Sequence, residues 1–121
     1  MVKEPGLHIV ADLINCQVDK TKMTDKQALI DFLCNAVVEQ QLTVVNHCFH
    51  DFGNGSGVTG VVILAESHVS VHTWPERNFV SLDVFVCNHT SNNRDKAEKL
   101  FVTIRDFFEP ANFKVHYVDR D

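Results

Sequence analysis

The chain has 121 residues, 16 acidic and 11 basic, for a formal charge of -5 at neutral pH, and 45% of its side chains are hydrophobic. That length and apolar content suit one domain around one core, and the scattered basic residues exclude an electrostatic grip on nucleic acid or an anionic membrane. No apolar run approaches the roughly 18–20 residues of a membrane span, and Met1 to Gly6 show no signal pattern, so a cytoplasmic location is expected.

Leu7 to Asn15 are apolar with partial alternation and predict a first strand. Thr24 with Gln27 reads as a capping box, and Leu29, Leu33, Ala36, Val37 and Gln40 follow at helical spacing. Leu42 to Phe52 is rich in β-branched and aromatic residues and predicts a strand, which Gly53-Asn54-Gly55-Ser56-Gly57 ends in a turn. Val58 to Ala65 is a continuous apolar run bounded by a turn, the pattern of a buried central strand. His68 to Thr73 alternates, Trp74-Pro75-Glu76 turns the chain, and Phe79 to Val86 returns as the next strand. Asn92 or Asn93 is placed to cap a second helix, whose stripe of Ala97, Leu100, Phe101, Ile104, Phe107 and Phe108 ends near Pro110. Residues 112–118 complete the order βαββββαβ. Helices apolar on one side only predict an α+β fold, a two-layer α/β sandwich with two helices on one face of a mainly antiparallel sheet.

The chemistry concentrates in Glu66-Ser67-His68-Val69-Ser70-Val71-His72-Thr73-Trp74-Pro75-Glu76, with Cys87 following. A nucleophile, two imidazoles and a thiol fall together there. Cys16, Cys34 and Cys48 lack CxxC or zinc-knuckle spacing and read as small hydrophobes. Taken singly, a serine in a strand is structural, and a tryptophan before proline is a turn or interface residue. The whole segment, with Gly57-Val58-Thr59-Gly60 before it, closely resembles the processing and active-site segment of prokaryotic-type S-adenosylmethionine decarboxylases, pyruvoyl-dependent enzymes made as proenzymes.

That resemblance spans roughly residues 6 to 118 in element order and is dense from Gly57 to Cys87. It implies cleavage between Glu66 and Ser67 within a single domain of residues 1–121, with Ser67 converted into a covalent pyruvoyl group. Such a carbonyl condenses with a substrate amine and takes up the electrons released as carbon dioxide leaves. By the same resemblance His72 is the base of processing, Cys87 the acid that reprotonates the substrate carbon, and Thr59 supports ester formation where the family usually has serine. Phe52 and Trp74 match positions that contact adenine and sulfonium, and Glu76 one that holds the ribose. Aromatic faces attract a sulfonium as they attract ammonium ions. The implied substrate is S-adenosylmethionine, the product the aminopropyl donor for spermidine synthesis, and the assembly a homodimer of cleaved protomers with sites near the interface. Asn88 stands where the family commonly has glycine after the thiol, and Arg77-Asn78-Phe79 replaces an aromatic-glycine-aromatic sequence. Phe52 lies one residue further from Thr59 than in the family pattern.

Other readings stay open at this stage. An arginine or ornithine decarboxylase of the same pyruvoyl lineage would keep Ser67, His72 and Cys87 but need no purine clamp. A non-catalytic, unprocessed homologue would keep only the fold. No metal is expected: His68 and His72 lie about 13 Å apart on an extended strand, too far to share one ion, which leaves only a convergence of His47, His50 and His68. Ser67 and His72 are also an odd number of residues apart, so a regular strand would point them to opposite faces. The cleavage point must therefore sit in a bend.

Overall fold

Alternating burial sorts the strands' side chains onto a covered and an open face. The computed structural model describes residues 4–88 and 91–121. It runs β1 (Gly6–Cys16), α1 (Thr21–Thr24), α2 (Lys26–Glu39), β2 (Val44–Asp51), β3 (Val58–Leu64), β4 (Ser67–Trp74), a 3-10 turn (Pro75–Arg77), β5 (Phe79–Val86), α3 (Arg94–Phe108) and β6 (Pro110–Arg120). The strands form one six-stranded sheet in the order β2-β3-β4-β5-β1-β6, every neighbouring pair antiparallel. The first strand is thus inserted between the last two, with Ile9 opposite Val84 on one side and Tyr117 on the other.

Leu7, Ile9, Ala11 and Leu13 of β1, Val69 and Val71 of β4, and Val80, Leu82, Val84 and Val86 of β5 are buried together. Against them α2 packs Leu29, Leu33, Ala36 and Val37, while α3 packs Leu100, Phe101, Ile104 and Phe108. Each of the valine, leucine, isoleucine and phenylalanine side chains contributes about 1.5–3 kcal/mol by leaving water. The opposite face holds His8, Val10, Thr59, His68, Ser70, His72, Trp74, Asp83 and Phe85 at partners one residue out of phase. The expected two-layer architecture is therefore the observed one.

Three local expectations are corrected. Asp25, not Thr24, caps the long helix: its side chain accepts the Ala28 N–H at 3.0 Å, and Thr24 instead donates its hydroxyl to the Lys20 carbonyl. Asn93 is the N-cap of α3, but its side chain makes no capping bond, being committed to the Cys87 carbonyl. The strand from Val58 is covered on one face only, since Val61 is half-buried and Ile63 is 42% exposed. Among the described residues nothing fully covers the face that carries Val61 and Ile63.

Thr73 ties the sheet to the helical layer. Fully buried, its hydroxyl donates to the Met23 carbonyl at 2.7 Å and accepts the Val58 N–H at 2.9 Å. Thr73→Val keeps the shape and strands both partners, so denaturant titration should show a loss of about 2 kcal/mol or more.

Candidate active site

Glu66 and Ala65 form the two-residue turn of the hairpin that joins β3 to β4, since Leu64 and Ser67 are its last paired residues. Ser67 takes φ +151°, a region that side chains with a β-carbon rarely enter. Ser67 nonetheless stays paired in β4 with Leu64 and Val86, and its Oγ lies 3.3 Å from His68 Nδ1.

The peptide before Ser67 is held from two directions. The Glu66 carboxylate accepts the Thr43 N–H at 3.0 Å and the Thr43 hydroxyl at 3.2 Å, while the Glu66 carbonyl accepts the Cys87 N–H at 2.8 Å. A fixed donor on a carbonyl oxygen stabilises charge that develops there under nucleophilic attack. Cys87 follows β5 directly, and its own carbonyl accepts the Asn93 amide at 2.9 Å. Asn88, the departure from the family pattern, links this corner: its amide donates to the Glu4 and Pro5 carbonyls, and its oxygen accepts the Asn93 N–H at 2.7 Å. Gly6 leaves the close approach open, because a β-carbon there would sit 3.0 Å from the Cys87 Cα.

A second cluster occupies the far end of the same strand. The His72 ring stacks on Trp74 with centroids 4.0 Å apart and planes 4° apart, and on Phe52 at 5.4 Å and 19°. These rings, with Ser56 and Glu76, line a cleft of about 470 Å³. Arg77 places its guanidinium 5.7 Å from the Trp74 centroid and 4.8 Å from Phe79. Thr59 lies opposite His72 in register, its hydroxyl donating to the Val71 carbonyl at 3.4 Å. Gly57, at φ +119°, passes where a β-carbon would collide with the Thr73 carbonyl, which lets β3 start beneath the Trp74 turn.

The predicted residues therefore form two groups, not one. Glu66, Ser67 and Cys87 meet at one end, and Phe52, Thr59, His72, Trp74 and Glu76 gather at the other. Ser67 and His72, five residues apart in one strand, are separated by about 16 Å.

A third group was not read from the sequence. His8 of β1, His68 of β4 and Asp83 of β5 bring donor atoms within 4.8 Å of one another. Their only sequence signal was polar residues at the open-face phase of otherwise apolar strands. The histidine convergence considered for a metal is not this one, for His47 pairs with Val62 on the edge strand and His68 with Ile63, out of phase with it. Arg120 lies 2.8 Å from His8 Nδ1, and a guanidinium can only donate. His8 Nδ1 is thus the acceptor, and Nε2 carries the proton of the short bond to Asp83 Oδ1. In that tautomer His8 Nε2 has no lone pair for an ion; His8 is hydrogen-bonded to Asp83, and His68 Nε2 stands 3.8 Å from the other carboxylate oxygen.

The family described as S-adenosylmethionine decarboxylase matches residues 7–121. A relative from Hydrogenobaculum, "S-adenosylmethionine decarboxylase proenzyme", is 44% identical over 121 residues, covering 99% of this chain and 84% of its own. One of the same name from Archaeoglobus fulgidus is 39% identical over 116 residues, 95% and 96% of the two chains. A crystal structure of the adenosylmethionine decarboxylase from Aquifex aeolicus superposes with a TM-score of 0.84 at 33% identity, covering 98% of this chain and 92% of that one. Among the described residues no helix is long and apolar enough to cross a membrane.

All four cysteines are free. Burial pushes the Cys16 thiol up to about 11, and burial together with the Asp31 charge raises Cys34. Cys48 is exposed and Cys87 half-buried. Alkylation of the native protein at pH 8, read by peptide mass, should therefore label Cys48 first and leave Cys16 unmodified.

Proposed function

The chain belongs to the S-adenosylmethionine decarboxylase family, and from that premise we propose that it is a self-processing, pyruvoyl-dependent decarboxylase of S-adenosylmethionine, cut between Glu66 and Ser67. Its product is the aminopropyl donor for spermidine synthesis, and its place of action the cytoplasm. One observation carries the proposal: a serine at φ +151° follows a carbonyl already hydrogen-bonded at 2.8 Å to the Cys87 N–H.

Ser67 fits as the source of the pyruvoyl group, because its strained backbone favours exchange of the peptide for an ester. Its Oγ attacks the Glu66 carbonyl carbon, the oxyanion forms against the Cys87 N–H, and the Ser67 nitrogen leaves as an amine. His72 then takes the Ser67 α-proton, expelling the Glu66 carboxylate, and water releases ammonia from what remains. The pyruvoyl carbonyl supplies the electron sink that decarboxylation of a bound amino acid needs. Cys87 returns a proton to the substrate α-carbon. Phe52 and Trp74 offer π-faces to the adenine and the sulfonium, and Glu76 offers acceptors to the ribose hydroxyls. The relatives named above share one printed activity, and the aromatic cleft beside Glu76 favours it over decarboxylation of arginine or ornithine.

His72 cannot serve the Ser67 of its own chain across about 16 Å. We infer a homodimer in which each copy's His72 acts at the other's Ser67. The uncovered sheet face supports it, with Val10, Ile63 and Val118 each about 40% exposed. Twofold pairing that runs the two β4 strands in opposite directions brings unlike ends together.

Intact mass under denaturing conditions tests the cleavage. The wild type should give residues 1–66 and 67–121, the second piece lighter by one ammonia than its serine form; Ser67→Ala should stay whole. A persistently uncut wild type would remove the proposal. For the dimer, co-expression of Ser67→Ala with His72→Ala should restore cutting of the His72→Ala chain, and no restoration would place the base elsewhere. Trp74→Ala, assayed as its cleaved form, should raise KM for S-adenosylmethionine about tenfold or more.

A further inference from the structure

The steps above leave open what accepts the proton of the Ser67 hydroxyl. His68 Nδ1 is 3.3 Å from that oxygen, and its other nitrogen, Nε2, faces Asp83 Oδ2 at 3.8 Å. Asp83 Oδ1 is already engaged by His8 Nε2–H, so its second oxygen is the one left for His68. Arg120 fixes the far nitrogen of His8, and Phe85 packs edge-on against His68 with centroids 5.8 Å apart. Of the two neutral tautomers of His68, the carboxylate favours the one with its proton on Nε2, which leaves the Nδ1 lone pair toward the serine. A proton gained at Nδ1 then makes a cation directly beside Asp83. Long as a neutral hydrogen bond, 3.8 Å is within reach for that ion pair.

We propose that His68 is the catalytic base of the first step of self-cleavage, and that Asp83, held by His8, is the positioning residue that sets its tautomer. This deepens the self-processing reading and rests on it. The Ser67 O–H bond breaks with its proton passing to His68 Nδ1, and the Oγ–carbon bond forms at Glu66. The carbon–nitrogen bond then breaks, and the same proton passes from His68 to the departing Ser67 nitrogen. The ring ends neutral and no outside reactant is consumed. Two imidazoles thus divide the work, His68 on the hydroxyl and His72 on the α-carbon.

The test counts the ester. In a His72→Ala background elimination is blocked, and hydroxylamine at neutral pH cuts accumulated ester into residues 1–66 and 67–121, read by intact mass. His68→Asn keeps an acceptor near the Nδ1 position without its basicity, and should slow ester formation about 100-fold or more. The His68 side chain is 37% exposed, so the core is undisturbed; His68→Gln serves as a second replacement. Asp83→Asn should also slow the step while His68 is present, yet add nothing once His68 is replaced. Ester formed at the parent rate in both His68 variants overturns the proposal. An Asp83→Asn effect of equal size with and without His68 overturns the positioning role, since a merely structural part predicts it. Wild type that is never cut fails the parent reading; wild type cut normally beside unimpaired His68 variants fails this one alone.

Discussion

Everything chemical in this protein depends on a sheet that is covered on one face only. Strand residues alternate between faces, so packing helices on one side commits half of each strand to the core and leaves the other half free to be polar. Leu7, Ile9, Val69, Val84 and their neighbours take the first role, and His8, His68, His72, Trp74 and Asp83 take the second. The same alternation ranks the open-face residues along β4, which fixes how far apart they stand.

Ser67 is the exception to that sorting. By phase it belongs with Val69 and Val71 on the covered side, yet its positive φ turns the hydroxyl toward His68. A residue in that region costs roughly 1–3 kcal/mol and persists only where its surroundings over-determine it. Here the Thr43 groups grip the Glu66 side chain, the Cys87 amide grips the Glu66 carbonyl, and antiparallel pairing to Val86 grips Ser67. The strain therefore sits at one peptide.

Much of this was legible in the sequence where the signal was local. The strand Phe79–Val86 was read to the residue, because Trp74-Pro75 and Asn78 bound it and its alternation is clean. Counting pointed to irregular backbone at Ser67, but not to a residue that stays paired in β4 and far from His72. The cap of the long helix was displaced by one residue, because Thr24 and Asp25 are both cap formers and the choice turned on a preceding turn of helix. The open face of β3 was not legible, for an apolar run looks the same whether its second layer is its own chain or a separate molecule. Nor was the row of His8, His68 and Asp83, because its members are joined only when β1 enters between β5 and β6, pairing residues 75 positions apart.

The insertion of β1 also governs what a break at the β3–β4 hairpin would do. Residues 1–66 carry β1, β2, β3 and the first two helices, and residues 67–121 carry β4, β5, α3 and β6. Strand β1 of the first piece is hydrogen-bonded along both edges to strands of the second, and β3 is paired with β4. The two pieces would thus be interleaved like fingers of two hands, and a severed backbone would not let them part. Its thermodynamics would nonetheless change order: unfolding would become a dissociation, with a midpoint that rises with protein concentration, and refolding would become a search between two molecules. A protein of this topology assembles most readily as one continuous chain, and any such break would belong after folding.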